Sequence, residues 1–292
     1  MKPPEAESYL ALIELARQED VGEGDITTEV TIAAEKVGRG KLVFREGGVL
    51  CGMGVVEQVL GCYDKGLELK CNHEEGEKVA ANTVAGEIIG PLRAMLTCER
   101  VVLNFLQRLS GVATVTAEYV KAVAGTGSKI YDTRKTTPGW RELEKYAVRC
   151  GGGENHRRGL YDAVLIKDNH LAGWGEQDLG TALKEVIGKI KAEKRELEFI
   201  QVEVDTSEQL RCVLGVEGVD IVLLDNFSTE QLREAVAVRD EMTGKGGVQL
   251  EASGGVTLSN VRQIAETGVE RISIGALTHS VSNLDIALDI EN

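Results

Sequence analysis

Residues 8–18 (SYLALIELARQ) place apolar side chains at helical spacing and predict an amphipathic helix, followed by the polar turn EDVGEGDIT. Residues 40–51 read as two short strands around Gly47 and Gly48. Runs at 67–71 and 78–89 are also strand-like, broken at Glu75-Gly76 and at Gly86. From Leu92 to Ala124 the period becomes helical, with a break expected near Ser110-Gly111. This first part is therefore α+β and extends to about residue 111.

Beyond it the pattern alternates. Strands are predicted at 129–132, 163–167, 199–204, 219–224, 248–252 and 270–274. Helical stretches at 140–150, 176–194, 206–214, 229–241, 257–267 and 283–290 follow them. In 176–194, Leu179, Leu183, Val186, Ile187 and Ile190 share one face. Six strand–helix units with largely apolar strands imply a parallel sheet covered by helices. Periodicity alone leaves an open sheet and a complete or incomplete barrel as alternatives.

Composition narrows the class. Apolar residues make up 42% and charged residues 27%, the balance of a folded chain, and with aromatics at 4% the core must be aliphatic. Thirty-three basic against 47 acidic residues give a net charge of -14, which argues against nucleic-acid or anionic-membrane binding. No run reaches the ~18 apolar residues of a membrane helix, and the N-terminus lacks a signal pattern. The six cysteines form no C-x-x-C pair and fit neither a zinc site nor a disulfide framework, so reduced thiols and a cytoplasmic location are expected.

In parallel βα folds the C-terminal strand ends share the face on which active sites are built. Here those ends carry Asp132, Arg134 and Lys135; Lys167 and Asp168; Glu203 and Asp205; Asp225 and Asn226; Ser253, Gly254 and Gly255; and Gly275. A strand-end carboxylate often only caps a helix or makes a turn, which is the preferred reading of Asp205. Two lysines and an arginine at strand ends of an acidic chain point instead to an anion site. Ser253-Gly254-Gly255 is either a tight turn or a place where backbone N–H groups approach a phosphate. Of four histidines, His156 lies beside Arg157 and Arg158, His170 and His279 follow strands, and His73 reads as a surface residue.

The segments EDVGEGDIT, ERVVLNFLQRLSGVAT, YDTRKTTPGWRELEKYAVRCGGGENHRRGLYDAVLIKDNHL, VEVDT, LLDNFS, EASGGV and ISIGALTHS occur in an order that resembles the quinolinate phosphoribosyltransferase family over nearly the whole chain. The resemblance implies an N-terminal α/β sandwich domain (1–111) and an incomplete, six- or seven-stranded α/β barrel (112–280), with the tail 281–292 packing back on the first domain. It implies a homodimer in which one subunit covers the other's barrel mouth and lends Arg100 to its site. The substrates would be quinolinate and phosphoribosyl pyrophosphate with Mg²⁺, and the products nicotinate mononucleotide, pyrophosphate and CO₂.

By the same resemblance, Arg134, His156 and Arg157, with Arg100 in trans, meet the quinolinate carboxylates. Lys135 and Lys167 meet anionic groups including pyrophosphate. Glu203 and Asp225 hold the metal, through water, or ribose hydroxyls; Ser253, Gly254, Gly255 and Gly275 seat the 5-phosphate, with His279 also in the substrate site. Planar arginine forks suit carboxylates, and lysine point charges suit phosphate oxygens. Three rivals stand beside this reading: a Schiff-base aldolase using Lys135 or Lys167, a relative of altered specificity linked to molybdenum transport, and a non-catalytic nucleotide-binding protein.

Overall fold

The computed structural model describes residues 2–171, 178–193 and 196–291. Along the chain the elements are α1 (Leu10–Val21), α2 (Ile26–Thr31), β1 (Val37–Phe44), β2 (Gly48–Val49), α3 (Met53–Tyr63), β3 (Glu68–Cys71), β4 (Lys78–Val79), β5 (Thr83–Pro91) and α4 (Leu92–Ala122). There follow β6 (Lys129–Tyr131), α5 (Arg141–Cys150), β7 (Val164–Ile166), α6 (Asp168–Leu171), α7 (Leu179–Ala192), β8 (Ile200–Val204) and α8 (Ser207–Leu214). The last are β9 (Ile221–Asp225), α9 (Thr229–Thr243), β10 (Gln249–Ser253), α10 (Val261–Ala265), β11 (Arg271–Ser273), α11 (Ala276–His279) and β12 (Ile286–Glu291). The chain divides into two compact units, one holding the residues up to Ala117 with Lys135–Gly153 and those from Ala276 on, the other Glu118–Arg134 and Glu154–Gly275.

The first unit is built on an antiparallel sheet of order β12-β1-β5-β3. The segment read as a terminal helix is instead the edge strand β12, paired with β1 from Phe44↔Ile286 to Arg39↔Glu291. LDIALDIE supports both periods: Leu284, Ala287 and Leu288 suit a helix, whereas Leu284, Ile286, Leu288 and Ile290 alternate. The open edge of β1 decides between them, because its backbone groups need partners. Helix α4 runs unbroken through Ser110-Gly111. Gly111 is there for space, since a Cβ on it would lie 2.4 Å from the Ser282 carbonyl oxygen. Helices α2 and α3 escape the periodicity reading; α3 is apolar nearly all round and buries Met53, Val55, Val56, Val59 and Leu60.

The second unit is an incomplete α/β barrel of six parallel strands in the order β6-β11-β10-β9-β8-β7. The register aligns odd-numbered residues with odd and even with even across all five ladders. Even positions form the apolar face, with Ile130, Ile166, Val202, Val222, Leu224, Leu250 and Ile272 all buried. Odd positions carry Tyr131, Gln201, Glu203, Asp225, Glu251, Ser253, Arg271 and Ser273. Leu165 and the buried Ile221 and Leu223 share these odd positions, so the strands gather their polar side chains on one mixed face, hidden in sequence by their overall apolar character.

The helices of this unit begin where local chemistry dictates. Thr206 and Ser228 each cap a helix in a capping box with Gln209 and Gln231. Asp205 is therefore the turn residue before the cap and not the cap itself. Only Val261–Ala265 of the predicted helix 257–267 is helical, since Asn260 turns back to accept from the Thr257 N–H and donate to the Gly255 carbonyl. The helix read over 176–194 is seen over Leu179–Ala192, and its predicted ends fall outside the described residues.

Candidate active site

The odd face of the barrel sheet presents a buried polar chain. The Nε–H of Arg271 donates to Glu251 Oε2 at 2.7 Å, and its guanidinium lies 3.6 Å from the centre of the Tyr131 ring. Glu251 Oε1 stands 3.4 Å from His156 Nε2, which also meets Gln201 Oε1 at 2.8 Å. His156 Nδ1 accepts the backbone N–H of Arg157 at 2.8 Å, so the ring proton belongs on Nε2, facing Gln201 and Glu251. Burial alone would raise the Glu251 carboxyl, but His156 and Arg271 outweigh it and hold it down at about 2.

Asp132, fully buried at the end of β6, fixes the segment that carries this histidine. Its Oδ1 accepts the His156 N–H at 2.8 Å and its Oδ2 the Asn155 side chain at 2.7 Å. Arg157 is thereby held in the interior, 7% exposed, where its Nη1 makes a long 3.5 Å contact with the Ala163 carbonyl. Burial pushes this guanidinium below its ordinary value and the charge of Arg134 pushes it further. Two arginines that oppose each other's charge form a place where an anion is favoured.

At the outlet end of the same face, Lys167 Nζ bonds Glu203 Oε2 at 2.5 Å. Asp225 accepts the Asn226 side-chain amide at 2.8 Å, and the Asn226 N–H donates to the Ser253 carbonyl at 2.9 Å. Gly254 has φ +93, and a Cβ there would fall 2.1 Å from Asn226 Oδ1, so the glycine is required by both its backbone and this neighbour. Gly255 likewise has φ +61. Helix α10 starts only at Val261, so any phosphate donors at Ser253–Gly255 come from the loop itself.

Lys167, Glu203, Asp225, Arg134, His156, Arg157, Ser253, Gly254, Gly255 and Gly275 thus belong to the barrel unit, whereas Arg100, Lys135 and His279 belong to the first. Arg100 is exposed on α4 and lines a cavity of about 320 Å³ with Asp20, Gly24 and Asp25 of the polar turn. Asp25 caps α2 through the Thr28 N–H at 2.9 Å and accepts the Thr97 hydroxyl at 2.9 Å. The exposed Lys135 receives the Thr278 hydroxyl on its carbonyl at 2.7 Å, and the exposed His279 pairs with the Ser280 hydroxyl.

Sequence reasoning passed over several residues that shape these surroundings. Gln201, Glu251 and Arg271 sit inside strands that read as apolar, and only the alternation of polar residues at odd positions could have marked them. The half-buried Arg108 pairs with the buried Glu144 at 2.7 Å in the first unit, and Glu144 also accepts the Thr137 N–H and hydroxyl, fixing the TTPG loop. Both lie inside segments read simply as helix.

Mg²⁺ is a hard cation that prefers oxygen ligands. Glu203 and Asp225 offer carboxylates on neighbouring strands of the polar face and suit such an ion.

Comparison with known proteins is consistent along the chain. Residues 25–110 match the model of the quinolinate phosphoribosyl transferase N-terminal domain, and residues 112–289 that of its C-terminal domain. The nicotinate-nucleotide pyrophosphorylase [carboxylating] of Mycobacterium leprae is 43% identical, covering 95% of each chain. The probable enzyme of that name in Bacillus subtilis is 39% identical, covering 93% of this chain and 90% of its own. The solved nicotinate-nucleotide pyrophosphorylase of Francisella tularensis superposes with a TM-score of 0.88 at 36% identity, over 99% of this chain and 98% of its own.

Proposed function

The chain belongs to the quinolinate phosphoribosyltransferase family, and from that premise we propose that it transfers phosphoribosyl from phosphoribosyl pyrophosphate to quinolinate with decarboxylation, the step that yields nicotinate mononucleotide for NAD biosynthesis. The observation that carries this reading is the buried Arg157 guanidinium, depressed by its own burial and by Arg134, within a chain of net charge -14. An acidic protein that gathers mutually repelling arginines favours a small anion there, and adjacent carboxylates match two planar forks.

Arg134 and Arg157 receive the quinolinate carboxylates, with Arg100 supplied by a second subunit of a homodimer. His156 enters this set through Arg157, whose backbone N–H it accepts. Lys135 and Lys167 hold pyrophosphate oxygens. The loop N–H groups of Ser253–Gly255 and Gly275 seat the 5-phosphate, with His279 beside the substrate. Lys167 exchanges its contact with Glu203 for the substrate anion, which frees that carboxylate for the ribose or the metal.

Bound Mg²⁺, held by Glu203 and Asp225 through water, would neutralise charge on the pyrophosphate. In the transfer, the C1–O bond to pyrophosphate breaks and the quinolinate nitrogen forms the new bond to C1. Positive charge on the sugar lies near Glu203 and Asp225, and negative charge on the leaving group near the lysines. Alkylation makes the ring nitrogen cationic. The C2–carboxylate bond then releases CO₂, its electron pair remains at C2 beside that nitrogen, and a proton takes the vacated position. The substrate supplies its own electron sink. The Arg134–Arg157 pair places the substrate's carboxylates, and closure by a second subunit excludes water from the activated sugar.

Among the described residues no helix is long and apolar enough to cross a membrane. We assign the enzyme to the cytoplasm, where its cysteines would stay reduced. The test is incubation with quinolinate, phosphoribosyl pyrophosphate and Mg²⁺, following CO₂ and the mononucleotide. Nicotinate in place of quinolinate is expected to give no product. Equal turnover of nicotinate, or none of quinolinate, rejects the assignment.

A further inference from the structure

Among the described residues, Cys51, Glu75 and Cys150 bring two thiols and a carboxylate oxygen within 4.8 Å of one another. They come from the loop after β2, the turn between β3 and β4, and the last residue of α5. Their spacing in sequence has no metal-site signature, and only the fold of the first unit assembles them. We propose that Cys51, Glu75 and Cys150 bind one thiophilic cation of the Zn²⁺ class, separate from the substrate site.

The geometry suits that ion. In a tetrahedral site with Zn–S ~2.3 Å and Zn–O ~2.0 Å, ligand atoms stand ~3.5–3.8 Å apart, within the observed spread. The site is also preformed. Cys51 is clamped by Ser110, whose hydroxyl accepts the Cys51 N–H at 3.1 Å and donates to its carbonyl at 3.2 Å. Glu75 is oriented by the Gly52 and Gly54 N–H groups at 2.8 and 3.2 Å, as ligating carboxylates commonly are. The Gly76 N–H donates to the Leu50 carbonyl at 2.8 Å, and Gly76 lies against the Cys150 backbone, where a Cβ would stand 3.1 Å from its carbonyl oxygen.

A second observation points the same way. Tyr146, one turn before Cys150 on α5, is fully buried, and its hydroxyl lies among Cys150, Cys51 and Glu75 without a well-directed hydrogen-bond partner. A thiol is a weak acceptor, and a buried hydroxyl that meets only the Cys150 side chain at poor geometry is weakly satisfied. A metal-bound thiolate at Cys150 would give it a strong acceptor. Of the three, Glu75 also lines a surface cavity of about 320 Å³ with Glu57, Cys71, His73 and Glu74, whose acidic character favours a cation on that side. The bound ion would tie three segments together at the end of α5, just before the glycine run that leads to His156 and Arg157 in sequence.

The test uses the full chain, reduced, stripped with a chelator and kept in excess Mg²⁺ so that hard oxygen sites are filled. Titration with Zn²⁺ against a chromophoric chelator is expected to give about one tight equivalent per chain. Co²⁺ is expected to give tetrahedral d–d bands and a thiolate charge-transfer band, reduced by about half in Cys51→Ser or Cys150→Ser. Either substitution is expected to lower Zn²⁺ affinity by at least ~100-fold, and Tyr146→Phe by ~10-fold. Glu75→Gln serves where a cysteine variant does not fold, and is expected to weaken Zn²⁺ binding while keeping the thiolate band. Absence of tight uptake overturns the proposal. So does a thiolate band that survives loss of Cys51 and Cys150, uptake that follows Cys71 and His73 instead, or a Cys51–Cys150 disulfide in place of bound metal.

Discussion

Arg271 and Glu251 form an ion pair at 2.7 Å with both side chains withdrawn from water. Two charges in the interior are tolerated because each has further partners: Tyr131 and Phe199 against the guanidinium, His156 against the carboxylate. Removing one partner leaves the other charged and buried. Arg271→Ala is expected to cost ~3–5 kcal/mol in urea unfolding, and the Arg271→Met, Glu251→Leu double variant less than the single change. A loss below ~1 kcal/mol for Arg271→Ala would show that the pair is unimportant to the fold.

The same pair sets an acid limit. Glu251 is held down at about 2 from an ordinary 4.5, so the unfolded chain takes up its proton first as pH falls. Its stabilising contribution, roughly 3 kcal/mol, is complete above about pH 5 and fades as pH drops from about 4.5 through about 2. The stability difference between the parent chain and Glu251→Gln should therefore shrink across that window. A difference independent of pH below 5 would contradict the assignment.

Arg157 should separate activity from stability. Its charge is buried and opposed by Arg134, so Arg157→Met is expected to leave the melting temperature unchanged or raise it. The same change removes charge-assisted bonds to a carboxylate, each contributing ~1.5–3 kcal/mol, and should lower kcat/KM for quinolinate by ~10–150-fold. The KM for phosphoribosyl pyrophosphate should change little. A variant that loses both substrates equally, or melts well below the parent, would place Arg157 in the fold and not in recognition.

A site shared between subunits can be tested by mixing. Arg100→Ala and Lys135→Ala are each expected to be nearly inactive alone. Co-refolded, they should recover about a quarter of parental activity, since half of the dimers pair unlike subunits and each such dimer restores one of two sites. Lack of recovery with subunit exchange verified would argue that each chain completes its own site.

The Arg108–Glu144 pair predicts a positioning effect. Glu144→Gln keeps the shape but weakens the hold on Thr137 and Arg108. It should destabilise the chain by about 1–3 kcal/mol and raise the KM for phosphoribosyl pyrophosphate more than that for quinolinate, because the TTPG loop follows Lys135. An unchanged KM ratio would confine the pair to a structural role.

What each level of description determined can be seen in particular residues. The six parallel strands were legible because Val, Ile and Leu runs ended in turn residues at regular intervals. The cationic stretches around Arg134 and Arg157 stood out because basic residues are scarce in an acidic chain. Ser110-Gly111 misled because a glycine in a helix serves either a break or a close approach, and only the neighbouring Ser282 carbonyl distinguishes them. The tail misled because Leu284–Ile290 fits both periods, and the unpaired edge of β1 selected the strand.

The sequence by itself determined which residue types were available and about where the strands of the parallel sheet ended, since backbone preference and apolar periodicity act over a few neighbours. Tertiary structure alone decided that Gln201, Glu251 and Arg271 share one face with His156, and that Cys51, Glu75 and Cys150 meet. Those encounters depend on ladder register and helix packing between distant segments, and local pattern carries no record of them. The physical reason is that charge pairing and ligation act over a few ångströms in space, whatever the separation along the chain.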